Sequence, residues 1–315
     1  MKSYNVIQNP EASLDEKLQQ LESSLGNTPL REIRSLLPNK KVQLFAKLEW
    51  KQLGGSVKSR PAFRIIKDAI ERGELSPEKE ILDASSGNTG IAYAHIGSRL
   101  GIPVTLCLPE NASAERKQIL EDLGANLVLT SKEGSTDEAQ EIAREMYRNE
   151  PGRYYYADQY NNSSNWKAHY STTGPEIVRQ TGRQVTHFVA GLGTTGTFTG
   201  TGRYLKEFNP DIRLVALQPD FPLHGLEGWK HLETAHVPGI YDSTLADEVR
   251  PVSTERAYEL VKIVKEKEQL LLSPSSAANL AGALELAGEL DEGVVVTVFP
   301  DDGSKYSEIL NQLLK

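Results

Sequence analysis

Short apolar runs rich in β-branched residues alternate with amphipathic helical stretches along nearly the whole chain. That alternation predicts an α/β protein of βαβ units, with a mostly parallel sheet covered by helices. The runs predict strands at 42–48, 80–84, 103–108, 126–130, 153–156, 186–190, 212–218 and 293–299. Helix starts are marked between them. Ser13-Leu14-Asp15-Glu16 and Ser135-Thr136-Asp137-Glu138 both match the capping box, in which a hydroxyl and a carboxylate three residues later satisfy the first N–H groups of a helix. Pro61 suits the first turn of a helix running to about Arg72, where its missing N–H is not needed.

At 315 residues the chain is long enough for two domains sharing a cleft. The irregular polar stretch from Asp158 to Asn165 separates one set of β/α units from the next and is the candidate boundary. Residues 219–252 form a long connection, rich in Pro, Gly and His and without periodicity, of the kind that lines active sites.

Composition narrows the class of partner. A formal net charge of −8 leaves no broad basic surface, which argues against a nucleic-acid partner and for a small molecule. The one cysteine, Cys107, lies in the apolar run Val104–Leu108, so a disulfide framework and a cysteine metal site are excluded and Cys107 reads as core; no metal is expected. The first residues, MKSYNVIQNPEASLDEK, lack an apolar signal core, and no run approaches the ~18 apolar residues of a membrane span. A cytoplasmic protein is expected.

Three glycine-rich turns carry candidate chemistry. Gly54-Gly55-Ser56-Val57-Lys58-Ser59-Arg60-Pro61 places a lysine just before a helix, and it is not a P-loop because Val57, not glycine, precedes Lys58. Ser85-Ser86-Gly87-Asn88-Thr89-Gly90 follows a strand and opens a helix. Hydroxyls and unpaired N–H groups at a helix N-terminus make an anion site, here suited to a substrate carboxylate. Gly191-Leu192-Gly193-Thr194-Thr195-Gly196-Thr197 also joins a strand to a helix and contains GxGxxG, which leaves an NAD-linked oxidoreductase as a rival. A dinucleotide site wants an acidic residue ending the next strand, whereas Arg213–Leu217 ends in Gln218-Pro219-Asp220. Three threonines among the glycines favour a single phosphate, whose oxygens hydroxyls and N–H groups can share.

Taken in order and spacing, GGSVKSRPA, SSGNTG, GLGTTGT, Thr172-Thr173-Gly174-Pro175-Glu176 and Ser273-Pro274-Ser275-Ser276 resemble the fold-type II pyridoxal-phosphate enzymes, over about residues 25 to 310. Within them the chain most resembles cysteine synthases of the B-type or O-phosphoserine-accepting branch. The resemblance implies a tryptophan synthase β-like fold of two domains, each with a mostly parallel twisted sheet covered by helices. The smaller, 46–162, would carry the cofactor lysine and carboxylate loop; the larger, 1–45 and 163–315, would carry the phosphate loop. It also implies pyridoxal 5′-phosphate as cofactor, a homodimer, and β-replacement forming L-cysteine from O-acetylserine or O-phosphoserine through an aminoacrylate intermediate.

The resemblance further implies residue roles. Lys58 would hold the cofactor as a Schiff base and move the Cα proton. Asn88 would bond the ring oxygen, while Ser85, Ser86, Thr89 and Gln159 would bind the substrate carboxylate. Gly193, Thr194, Thr195, Gly196 and Thr197 would hold the phosphate, and Ser275 would face the pyridine nitrogen. A neutral hydroxyl there need not keep the ring protonated, which favours Cα proton loss coupled to departure of a β-substituent. Two departures stand out: Ser59 replaces a common aspartate, either being a good N-cap, and bulkier residues flank Ser275. A cystathionine β-synthase-like enzyme, another β-substituted alanine synthase and an inactive binding homologue are the remaining alternatives.

Overall fold

The structure, a computed structural model, describes residues 12–315. In chain order it contains α1 (Leu14–Ser23), β1 (Leu30–Glu32), β2 (Val42–Leu48), α2 (Ser59–Glu71), β3 (Glu80–Ala84), α3 (Asn88–Leu100), β4 (Val104–Pro109) and α4 (Ala114–Asp122). There follow β5 (Asn126–Thr130), α5 (Ser135–Asn149), β6 (Tyr154–Tyr156), α6 (Ser164–Ser171), α7 (Thr173–Gln180), β7 (His187–Gly191), α8 (Gly196–Phe208) and β8 (Arg213–Pro219). The last elements are β9 (Glu248–Val252), α9 (Thr254–Glu268), α10 (Pro274–Glu289), β10 (Gly293–Phe299) and α11 (Ser307–Leu313). None of the described helices is long and apolar enough to cross a membrane.

The chain divides into two compact units. The smaller comprises residues 12–26, 52–54 and 58–164; the larger comprises 27–51, 55–57 and 165–315. Helix α1 packs with the smaller unit, whereas the expected division put residues 1–45 with the larger. The reason is apolar: Leu18 and Leu21 join the core formed by Ile65, Ile66, Ile81, Ile96 and Leu106. Burying each contributes about 1.5–3 kcal/mol. Conversely β2 lies wholly in the larger sheet, paired along its full length with β10. The Ser13–Glu16 capping box forms, Ser13 Oγ accepting from the Glu16 N–H at 3.3 Å and Glu16 Oε2 from the Ser13 N–H at 2.8 Å. At the expected box Ser135–Glu138, Gly134 takes the N-cap place and Glu138 accepts from the Ser131 hydroxyl at 2.5 Å, while the Ser135 side chain lies outside what the structure describes.

The smaller unit's four-stranded sheet has the order β5-β4-β3-β6 and is parallel throughout. β4 is buried along its whole length, which puts Cys107 in the core. The larger unit's six-stranded sheet has the order β1-β2-β10-β7-β8-β9, antiparallel only at β1. Its core joins Leu44, Val189, Val215 and Val295 to the apolar faces of α9 and α10.

Both orders reverse direction once. In the smaller sheet β3, β4 and β5 run one way and β6 returns to the other side of β3. In the larger, β7, β8 and β9 run one way and β10 returns beside β7. Such a reversal opens a crevice at the carboxyl ends of the two strands concerned, where open parallel sheets bind their ligands. The loops leaving β3 and β6, and those leaving β7 and β10, are therefore the places to look for chemistry.

Candidate active site

In the smaller unit, Lys58 is half-buried at the N-cap of α2, directly after the left-handed turn Gly54-Gly55 (φ 74° and 62°). Ser59 is not the N-cap expected of it. It is the first helical residue, and its hydroxyl donates to the Leu53 carbonyl at 2.5 Å. That bond requires glycine at 54, since a Cβ there would come within 2.6 Å of Ser59 Oγ. The short helical turn is thereby tied to the lysine.

The switch point between β3 and β6 holds the carboxylate-loop candidates. Helix α3 begins at Asn88, so Asn88, Thr89 and Gly90 form its first turn. Ser85 is buried, and its hydroxyl accepts from the N–H groups of Gly87 at 3.3 Å and Gly90 at 3.1 Å. Ser86 and Asn88 are half-buried. Thr89 donates to Gln159 Oε1 at 2.7 Å, joining the loop after β3 to the turn after β6. The structure thus brings Ser85, Thr89 and Gln159 into one crevice over a helix N-terminus, whose dipole favours an anion. Sequence reading passed over Asp83, a carboxylate in the apolar run Ile81-Leu82-Asp83-Ala84. It is fully buried, and burial pushes its carboxyl up to about 7, against hydrogen bonds from main-chain N–H groups that pull it down.

In the larger unit, the loop after β7 turns sharply into α8. Thr195 is its N-cap, in left-handed backbone (φ 69°, ψ −10°) that costs a non-glycine residue about 1–2 kcal/mol. Its hydroxyl is buried without a hydrogen-bond partner among the described residues. Strain and an orphaned donor coincide at this residue, the combination expected where a ligand is held. The glycines are required by close approach: a Cβ on Gly193 would lie 2.1 Å from the Gly228 carbonyl oxygen, and one on Gly196 would lie 1.9 Å from Asn165 Oδ1. Thr194 accepts from Asn165 Nδ2 at 3.2 Å, and Thr197 meets His169 Nε2 at 3.3 Å. Asn165 and His169 were not singled out from sequence, because nothing local links them to a loop about thirty residues away.

Ser275 is buried in the first turn of α10. Ser273 caps that helix, accepting from the Ser276 N–H at 3.2 Å, and its Oγ lies 3.2 Å from Ser275 Oγ. The bulkier Leu272 and Ala277 are fully buried in the core and leave this cap intact. Asn279, also missed, donates to the Ser275 carbonyl at 3.2 Å and accepts from the Gly191 N–H at 2.7 Å, coupling Ser275 to the start of the loop after β7. Asp301, at the end of β10, is buried and accepts from the Tyr306 hydroxyl at 2.6 Å.

A lysine at a glycine-rich turn, with glycine- and hydroxyl-rich helix starts at the switch points of two mostly parallel sheets, is the arrangement of an α/β enzyme. The chain belongs to the pyridoxal-phosphate dependent enzyme family, which it matches over residues 21–301. It is 47% identical over 289 residues to the cysteine synthase of Aquifex aeolicus, covering 90% of this chain and 88% of that one. It is 38% identical to cysteine synthase B of Escherichia coli, covering 91% and 93%. Among solved structures, a cysteine synthase from Entamoeba histolytica matches with a TM-score of 0.87 at 30% identity, covering 95% of this chain and 90% of the other. The α/β class with mostly parallel sheets agrees with what the strand pattern predicted.

Proposed function

We propose that this enzyme forms L-cysteine by replacing the β-substituent of O-acetylserine or O-phosphoserine with a sulfur nucleophile, and that Lys58 carries its pyridoxal phosphate. The observation that carries the reading is the buried, unpaired Thr195 hydroxyl held in strained backbone at the N-terminus of α8. A phosphate dianion satisfies that donor, the neighbouring Thr194 and the first-turn N–H groups of the helix together. The glycine positions 193 and 196 leave no room for a Cβ against Gly228 and Asn165, which fixes the path of the loop.

When bound, pyridoxal phosphate supplies an electron sink for charge developing at the substrate Cα. The chain's own residues do the rest. Lys58 takes the proton from Cα and returns it after the nucleophile has added. Ser85, Ser86, Thr89 and Gln159 hold the substrate carboxylate, fixing the direction in which the Cα–H bond points. Asn88 would bond the cofactor's ring oxygen, and Ser275, a neutral hydroxyl, would meet the pyridine nitrogen without forcing a charge on it. On this reading the smaller unit supplies lysine and carboxylate site, the larger supplies phosphate site, and the enzyme works as a cytoplasmic homodimer.

The test is direct. The purified chain, reconstituted with pyridoxal phosphate, is given O-acetylserine, O-phosphoserine or serine with sulfide, and cysteine is quantified. One of the activated donors is expected to yield cysteine, with Lys58→Ala inactive. No cysteine from any donor, or full activity in Lys58→Ala, would overturn the reading.

A further inference from the structure

Asp83 stands one residue before the end of β3 and is 1% exposed, in a strand whose neighbours Ile81, Leu82 and Ala84 are apolar. Aspartate is rarely so deeply buried unless its oxygens are occupied. One oxygen accepts from the Ala84 N–H at 2.8 Å and the other from the Gln159 N–H at 3.3 Å. The carboxyl therefore spans the switch point. Ala84 leads into the Ser85–Thr89 loop, and Gln159 lies on the turn after β6.

The backbone explains why a clamp is needed. The Ala157 N–H donates to the Leu82 carbonyl at 2.9 Å, and the chain then leaves the sheet through Asp158, in left-handed backbone at φ 43°. The Asp158 carboxylate is turned to the Asn161 side-chain amide, at 2.9 Å, within its own turn. The Gln159 N–H is taken instead by Asp83. The same residue's Oε1 accepts from Thr89 at 2.7 Å, and its Nε2 reaches the Ala84 carbonyl at 3.5 Å. The titratable groups that interact electrostatically with Asp83 are Asp158, the phenols of Tyr93, Tyr155, Tyr156 and Tyr160, and the Cys107 thiol.

We propose that Asp83 is a positioning residue for the amino-acid substrate: by holding the main chain of Gln159 it places the Gln159 amide and Thr89 hydroxyl together, and so sets the affinity for the substrate carboxylate without touching the reacting atoms. The inference rests on reading Ser85, Ser86, Thr89 and Gln159 as the carboxylate site.

Asp83→Asn in the holoenzyme tests it. Asparagine keeps an acceptor for the Ala84 N–H but sets its NH2 against the Gln159 N–H. KM for the amino-acid donor is expected to rise about tenfold, the scale of losing a hydrogen bond to a carboxylate, with kcat changed by less than about twofold. The dissociation constant of L-alanine, which has no leaving group and is followed through cofactor absorbance, rises in parallel. Gln159→Ala is the reference: it also raises KM, and adding Asp83→Asn to it changes little because both act through one residue. If Gln159→Ala leaves KM unchanged, the carboxylate reading fails and takes this inference with it. If Gln159→Ala raises KM and Asp83→Asn does not, or lowers kcat alone, the positioning role is overturned and the carboxylate reading stands. Should Asp83→Asn not accumulate as folded protein, Asp83→Ser, which keeps a small acceptor beside Ala84, is read on the same scale.

Discussion

Thr89 donates its hydroxyl proton to the side-chain oxygen of Gln159 across 2.7 Å, joining residues seventy positions apart in sequence. Both side chains are buried, so the bond is shielded from water and the acceptor has no solvent to replace a lost donor. Thr89→Val keeps the shape and removes the donor. KM for the amino-acid donor should rise about tenfold, while Thr89→Ser stays near wild type. Steady-state kinetics decide, and a valine variant with unchanged KM would show that the pair does not serve the substrate.

On the proposed reading, Thr195 trades stability for a phosphate site. Thr195→Gly relieves the left-handed strain and removes the buried unpaired hydroxyl, gains that exceed the roughly 1 kcal/mol of added chain entropy in glycine. The cofactor-free variant should melt above cofactor-free wild type, yet bind pyridoxal phosphate about tenfold more weakly. A lower melting temperature would contradict the strain argument, and unchanged cofactor affinity would contradict the phosphate role.

Asp83 also gives stability a pH dependence of known sign. Its carboxyl is raised from the ordinary range near 4 to about 7, burial being the largest cause, so between those values the folded state binds a proton that the unfolded state has lost. Stability from this group is complete below about pH 4 and falls as pH rises through about 7, by at most a few kcal/mol. Asp83→Asn should flatten that part of the curve. Urea unfolding at intervals from pH 5 to 8 makes the comparison, and equal slopes in the two proteins would remove Asp83 as the source.

In the larger unit, Lys47 is fully buried and bonds Glu176 at 2.6 Å, the Thr28 carbonyl at 2.8 Å and Gln180 at 3.0 Å. Lys47→Met breaks the buried pair with Glu176, and should destabilise the protein by about 3–5 kcal/mol. Replacing both partners, as Lys47→Met with Glu176→Leu, should restore much of the loss because no lone charge stays buried. Denaturant midpoints report both; a loss below about 1 kcal/mol in the single variant would mean that water or another cation reaches Glu176.

The central strands were legible because buried parallel strands carry continuous β-branched runs, as in Val294–Val298, and their bounds agree with the structure to within a residue or so. Strands β1 and β9 were not. They are the two edges of the larger sheet, and Leu30-Arg31-Glu32 and Glu248-Val249-Arg250-Pro251-Val252 read as polar loop, the proline being tolerated because an edge strand leaves one side unpaired. The three glycine-rich turns could be placed since each combines a strand end with a helix start. Partners such as Asn165 and Asn279 could not, because the bonds from Asn165 to Thr194 and from Gly191 to Asn279 span 29 and 88 positions and arise only once the helices have packed. Ser59 shows the finer failure. Its residue type suits a cap, but the tight turn at Gly54 brings the Leu53 carbonyl within its reach and makes it a donor instead.

The buried position of Cys107 has a consequence for a catalyst that works among sulfide and thiols. Its thiol is the only one in the chain, and burial pushes it up to about 12, so thiolate is effectively absent at neutral pH. The protein therefore offers its own reagents no sulfur to exchange with. Persulfides and disulfides, which need a thiolate to exchange with, find no ready partner on the folded chain.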